Sequence, residues 1–482
     1  MVSPVESAVR GIVTKGLLKV AAFNRSRKPQ PTTPHPYLSG IHRPMESELT
    51  LTELEVQGDI PPELNGSYLR IGPNPVTPPN QAVYHWFTGD GMVHGVRIQG
   101  GKALWYRNRW IRSTAVSEAL GEPAVGGQRR PPSDTVNTNV MGHAGKIWAL
   151  VEAGSSPVEL SSGLDTLAHN PFGGTLRGAF SAHPHRCPDT GELHAITYDG
   201  PNLNTIHHVV VDAAGKVRRE EPIAVQHGPS IHDCALTARF VIVLDLPVTF
   251  SMKALLGGQH FPYAWNPEHR ARVGLLPREG RGSDTIWCEV DPCYAFHPCN
   301  AFDTEDGKVV MDLAVHNDMF AHSTQGPDSK TVTFERWTID PATGSVERRV
   351  IDAEPQEFPR CDERRTGKPY RYAYAMPLAR GGHEFVSETH LIKHDLVDGT
   401  RQLHGFGAHR YPGEFVFVPR SPDAAEDDGW LMGLVINMDT QTTDLVILDA
   451  QEFDSLPQAV ITIPHRVPPG FHGNWVGAVD SA

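Results

Sequence analysis

At 482 residues the chain exceeds what one compact core usually holds, so it is either two or three ordinary domains or one large radial unit. Its formal net charge of −13 argues against a concentrated basic surface, so nucleic acid is not an expected partner and anionic ligands are unfavoured as a class. Glycine (45) and proline (41) are spread along the whole chain, which is the composition of many short strands joined by tight turns and excludes a predominantly long-helical protein.

In chain order, apolar residues recur at roughly helical spacing from Val5 to Phe23, with Arg10, Lys15 and Lys19 among them and Arg25, Arg27 and Lys28 just beyond. Glu6, Arg10 and Lys15 interrupt that run too often for a signal peptide. Two readings stay open: a packed or frayed terminal helix on a polar leash from Pro29 to Pro36, or a basic amphipathic helix resting on a membrane surface. Residues 1–37 are accordingly set apart as an N-terminal segment and linker from a domain over 38–482. No stretch offers the roughly 18 to 20 apolar residues that a membrane-spanning helix requires. Six cysteines, with no CxxC pair, read as reduced and mostly buried thiols of a cytoplasmic protein.

Leu64 to Pro75 reads as a turn, a short strand and a proline-rich stop, and Tyr84 to His94 as two apolar strands around the Gly89-Asp90-Gly91 turn. Strands of ordinary length are then expected at Lys102 to Ile111, Lys146 to Glu152, Glu192 to Tyr198, Phe240 to Leu246, Val309 to Leu313 and Thr331 to Ile339. Three more follow at Phe415 to Pro419, Trp430 to Ile436 and Asp444 to Leu448. Turns such as Asp189 to Gly191 and Asp340 to Gly344 punctuate them. So many strands with hardly a long helix fit an all-β closed radial structure, a propeller, better than a sandwich of this size. No blade repeat is legible, so pattern alone gives no blade count. Thr249 to Pro267 is the least strand-like region and reads as part of a cap or as an ordinary surface loop.

Among 25 histidines, four stand out by their surroundings: His183 in Phe-Ser-Ala-His-Pro, His232 in Pro-Ser-Ile-His-Asp, His297 in Tyr-Ala-Phe-His-Pro and His472 in Gly-Phe-His-Gly-Asn-Trp. Each follows an apolar or small run, as at a strand end pointing toward an axis. Their wide separations exclude a zinc finger or a His-Glu-x-x-His helix and suit one metal ligand from each of several blades. His185 and His316 are weaker candidates. Neutral imidazoles suit iron, zinc or copper, so residue chemistry alone leaves the metal open.

The chain resembles the carotenoid cleavage oxygenase family over nearly all of its length after residue 37, and is most similar to bacterial members that cleave carotenoids and apocarotenoids. The resemblance rests on residues 64–75 (Leu-Asn-Gly-Ser-Tyr-Leu-Arg-Ile-Gly-Pro-Asn-Pro), 84–92 (Tyr-His-Trp-Phe-Thr-Gly-Asp-Gly-Met), 106–110, 137–139, 357–360, 414–419 with 426–429 behind it, and the Phe-His-Gly-Asn-Trp terminus. It implies a seven-bladed β-propeller with a helical and loop cap, and one nonhaem Fe(II) per chain held by His183, His232, His297 and His472. Glu152, Glu357 and Glu414 match the family's supporting glutamates. A carboxylate that accepts the remote ring N–H fixes the imidazole tautomer and makes the other nitrogen a better donor. Thr138 matches a threonine that in some relatives sits over the remaining coordination position.

The implied reaction, with dioxygen as co-substrate, splits a carbon–carbon double bond of an apolar polyene into two carbonyl products. Tyr84, Phe87, Trp110 and the cap are the expected tunnel walls. A second branch of the family cleaves stilbenes, holding the phenol with a tyrosine and a lysine. Here Trp110 takes the tyrosine position and no lysine occurs between Lys102 and Lys146, which favours a polyene. The alternatives are a stilbene-type cleaver or isomerase, or a noncatalytic binding propeller. Peripheral membrane contact through the terminal helix or the cap is a further expectation.

Overall fold

The computed structural model describes residues 16–200, 202–329, 331–378, 386 and 388–478. Among these, seven antiparallel sheets of four or more strands are arranged as the blades of a propeller, with one two-stranded ribbon besides. Residues 5–15 of the N-terminal amphipathic run lie outside the described residues, and residues 16–26 form a helix.

The strands form where the sequence alternates or runs apolar. Val309–His316 is buried along its whole length because neighbouring blades cover both of its faces, whereas the outer strand Ser345–Asp352 is largely exposed. Turn chemistry sets the register between strands. Gly344, at φ 72°, closes the turn after Asp340, whose carbonyl accepts the Gly344 N–H at 2.8 Å and whose carboxylate accepts from Ala342. Most of the expected strands appear within a few residues of their predicted limits, as at Lys102–Trp110, Val332–Asp340 and Gly429–Asn437. Of the two expected in Tyr84 to His94, only the second forms, as Gly91–Gln99, and the first is a loop with the 3-10 helix Trp86–Thr88.

Each blade has one strand nearest the axis: Asn139–His143, His185–Arg186, Cys234–Leu236, Pro298–Asp303, Gln356–Arg360, Val416–Pro419 and Gly473–Gly477. Most of these inner strands touch the next one round the ring. Two pairings close that ring. Gly473–Gly477 joins Gly66–Pro73, and Glu55–Gly58 joins Ala459–Ile463, so chain start and chain end share two sheets.

The region at 249–267 leaves the third of these blades after Phe240–Asp245 and returns as Arg272–Pro277. In between it makes the Val248–Phe250/Tyr263–Trp265 ribbon and the short helix Met252–Leu256. Helix 16–26 lies on this excursion, with Asn24 donating to the Leu256 carbonyl at 2.8 Å. The largest apolar cluster includes Tyr37, Trp86, Phe296 and Phe471, with Tyr37 stacked on Trp86 at 4.7 Å. Two of those residues immediately precede His297 and His472 in sequence.

Candidate metal centre

The fold brings the same place in every blade to the axis. Thr138, His183, His232, His297 and His472 stand at or just before the start of an inner strand, as do Glu357 and Glu414. The imidazole nitrogens of His183, His232, His297 and His472 lie within 4.8 Å of one another, and all four residues are buried. The wide sequence separations are thus blade spacings.

Three of the rings are steadied from behind. With Nδ1–H donating, His232 meets Glu152 at 2.9 Å, His297 meets Glu357 at 2.6 Å and His472 meets Glu414 at 3.1 Å. That fixes the tautomer and turns each Nε2 lone pair toward the axis. His183 has no such partner at hydrogen-bond distance, since its Nδ1 lies 3.8 Å from Asp233, and its Nε2 is buried with no bond at all.

Burial pushes His183 well below the usual imidazole range, and the three facing histidines add to the effect. Burial likewise lowers His472, only partly offset by Glu414, whereas at His232 burial is outweighed by Glu152, Asp233 and Glu357 acting together and the net shift is upward.

Glu357 is fully buried, which would push it up, yet His297 and His316 hold it ionised and well below the ordinary carboxylate value. His316, weighed in the sequence as a ligand candidate, donates instead to the second oxygen of Glu357 at 2.5 Å. His185 likewise stands off the metal group and meets Asp233 at 2.7 Å. Phe358 adopts φ 52° at a bulge in the same strand and stacks on His297 at 5.1 Å, a strained conformation kept at the site. Arg360 bonds Glu414 at 3.3 Å and Asn474 at 2.7 Å. Sequence reasoning missed this role, although Arg360 closes the Glu-Phe-Pro-Arg segment that it singled out.

The arrangement suits a bound cation. His232 Nε2 and His297 Nε2 face each other at 3.1 Å, and both rings have already committed Nδ1–H to a carboxylate. Two inward lone pairs at that distance repel unless a proton or a shared cation lies between them. Metal–nitrogen bonds of about 2.1 Å set adjacent ligand nitrogens about 3 Å apart, which matches. The orphaned His183 Nε2 completes the set.

Above the histidines lies a cavity of about 770 Å³, lined by Trp86, Phe87, Thr138, Glu152, Phe261 and Phe296 among others. Thr138 sits at its metal end, its hydroxyl donating to Asn137 at 2.9 Å and its carbonyl accepting the His472 N–H. Of the three expected wall residues only Phe87 lines this space. Tyr84 packs edge-on against His35. Trp110 pairs across the sheet with Met92, packs on Met92 and Val116, and donates its indole N–H to the Asn74 carbonyl at 2.8 Å. Pairing with Met92 fixes the direction of Trp110, and the loop that leads into the short 3-10 helix Trp86–Thr88 fixes that of Tyr84; both rings turn away from the cavity.

The family described as Retinal pigment epithelial membrane protein matches residues 42–477. The chain is 40% identical to a carotenoid cleavage oxygenase of Mycobacterium tuberculosis, over 92% of this chain and 97% of that relative. It is 30% identical to the apocarotenoid-15,15'-oxygenase of Synechocystis, over 87% and 92% of the two chains. A crystal structure of Pseudomonas brassicacearum lignostilbene dioxygenase superposes with a TM-score of 0.83 at 28% identity, covering 93% of this chain and 100% of that one.

Proposed function

The chain belongs to the Retinal pigment epithelial membrane protein family, the carotenoid cleavage oxygenases, and from that membership we propose an iron(II)-dependent dioxygenase that splits a carbon–carbon double bond of a carotenoid or apocarotenoid into two carbonyl products. The observation that carries the metal part is the pair of inward nitrogens 3.1 Å apart with both remote N–H groups committed to glutamates. His183, His232, His297 and His472 would hold one iron, oriented by Glu152, Glu357 and Glu414. Bound there, iron(II) supplies the activation of dioxygen beside the olefin.

The remaining work belongs to the protein. The apolar cavity places an extended polyene against the ligand face and excludes water, while Thr138 narrows the space beside the metal position. The wall requires no acid or base.

A stilbene reading is favoured by the lignostilbene dioxygenase likeness. Against it, the cavity offers Tyr198 and Tyr263 but no lysine among its described lining residues. Mass spectrometry of incubations with carotenoids, apocarotenoids and a hydroxystilbene decides between them. Paired carbonyl fragments from the polyenes, dependent on iron and dioxygen, are expected. Cleavage of the stilbene alone would overturn the polyene assignment.

Among the described residues no helix is long and apolar enough to cross a membrane. The same reading has the enzyme working in the cytoplasm, in keeping with its six free, buried cysteines. It collects its substrate at a membrane surface through the cap. Exposed Val20, Phe23 and Met252 stand with Lys19 and Arg27 on the segments that roof the cavity. Co-sedimentation with anionic vesicles, weakened in Phe23→Asp, is the expected outcome.

A further inference from the structure

The four histidines are reached from two sides. The large cavity touches His232, His297 and His472, and His183 is absent from its lining. A second, narrow cavity of about 90 Å³ touches His183, His297 and His472 and runs past Asp233, His185 and Arg360 to Glu363 and Thr366. The Glu363 side chain is 63% exposed, so this cavity opens to solvent at that end. The two passages differ in chemistry. The large one is walled mainly by aromatic and aliphatic side chains. The narrow one carries three carboxylates (Asp233, Glu363 and Glu414) against two guanidiniums (Arg186 and Arg360).

In the large cavity the wall is mainly apolar, and its carboxylates Glu152 and Asp199 are already bonded to His232 and Arg130; a divalent cation gives up its water only where other donors replace it. The narrow passage offers them in sequence. Glu363 stands at the mouth. Deeper in, Asp233 takes His185 and the Cys234 N–H on Oδ1, at 2.7 and 2.6 Å, while its Oδ2 lies 3.8 Å from His183 Nδ1, beyond hydrogen-bond reach. Last comes His183 itself, 92% buried by its 8% exposure, with its Nε2 unpartnered.

We propose that this polar channel, and not the large cavity, is the path by which the metal ion reaches the four histidines, with Asp233 and His185 as a transient way-station for a hydrated divalent cation. The proposal rests on the four-histidine reading above. It separates the route of the ion from the route of the apolar substrate, so a chain whose large cavity is filled still loads metal.

Cobalt(II) mixed rapidly with the metal-free protein, followed by its visible absorption, reads the loading rate without reference to activity. Thr366→Lys sets a fixed positive charge in the channel, Asp233→Asn removes the way-station charge, and Leu255→Trp crowds the large cavity from the cap. Loading at least tenfold slower in the two channel variants, with one cobalt per chain still bound at the end and Leu255→Trp loading as the parent does, is the expected result. Parental loading rates in Thr366→Lys, or slowing confined to Leu255→Trp, sink the route while leaving the site standing. A parent protein that takes up no cobalt sinks the four-histidine reading and the route together. Thr366 is half-buried near the channel mouth, so its variant keeps the test alive if Asp233→Asn fails to fold.

Discussion

At the scale of single residues, the site is a set of imidazoles whose orientation depends on the carboxylates behind them. His232→Ala or His472→Ala should abolish metal retention after gel filtration, whereas His185→Ala should retain metal, because His185 bonds Asp233 and stands outside the four-nitrogen group. Glu357→Gln keeps the shape but loses the charge shared by His297 and His316. A loss of about 10- to 100-fold in metal affinity is expected by chelator competition, and parental affinity would count against the tautomer argument. Glu414 yields a pH prediction. Its burial pushes its pKa up, but Arg360, His472 and the Gly473 N–H outweigh that and hold it at about 2. A depressed carboxylate adds stability that is fully present above its ordinary value of 4.5 and is lost as pH falls from there through about 2. Acid titration of the metal-free protein should therefore show a shallower loss over that window in Glu414→Gln than in the parent.

At the scale of elements, ligand placement depends on how closely two backbones approach. Gly72, in the strand paired with the C-terminal strand, leaves no room for a Cβ, which would press on the Cα of Gly470. Gly72→Ala should cost about 1–3 kcal/mol by overpacking and push the Gly470–His472 segment off its position. A lowered melting temperature together with weakened metal binding is expected. A lowered melting temperature with parental metal affinity would show that the segment adapts. The bulge at Glu357–Arg360 works in the same way: its irregular pairing lets Glu357, Phe358 and Arg360 each reach the centre from one short strand.

At the scale of the molecule, four ligands from separate blades make the metal a cross-link between parts of the chain far apart in sequence. Metal at 100 times its dissociation constant should stabilise the fold by about 2.7 kcal/mol, and a chelator should reverse that in a thermal melt. Ring closure adds a second dependence, since Gly473–Gly477 both completes a sheet with Gly66–Pro73 and follows directly on His472. Removing residues 473–482 should abolish cooperative unfolding as well as metal binding, whereas His472→Ala should abolish only the second.

The local sequence determined a good deal. Apolar or small runs singled out His183, His232, His297 and His472, although the runs are loops leading into inner strands and not strands that end at the axis. Alternation located most of the strands to within a few residues, because both signals are properties of neighbours along the chain. Which residues face which was another matter. That Trp110 turns from the cavity, that His316 shares Glu357 and that a polar channel runs beside the axis all depend on strand register and on which blades adjoin. One step of register moves a side chain to the opposite face of its sheet, and only the pairing of distant strands in the closed ring settles that step.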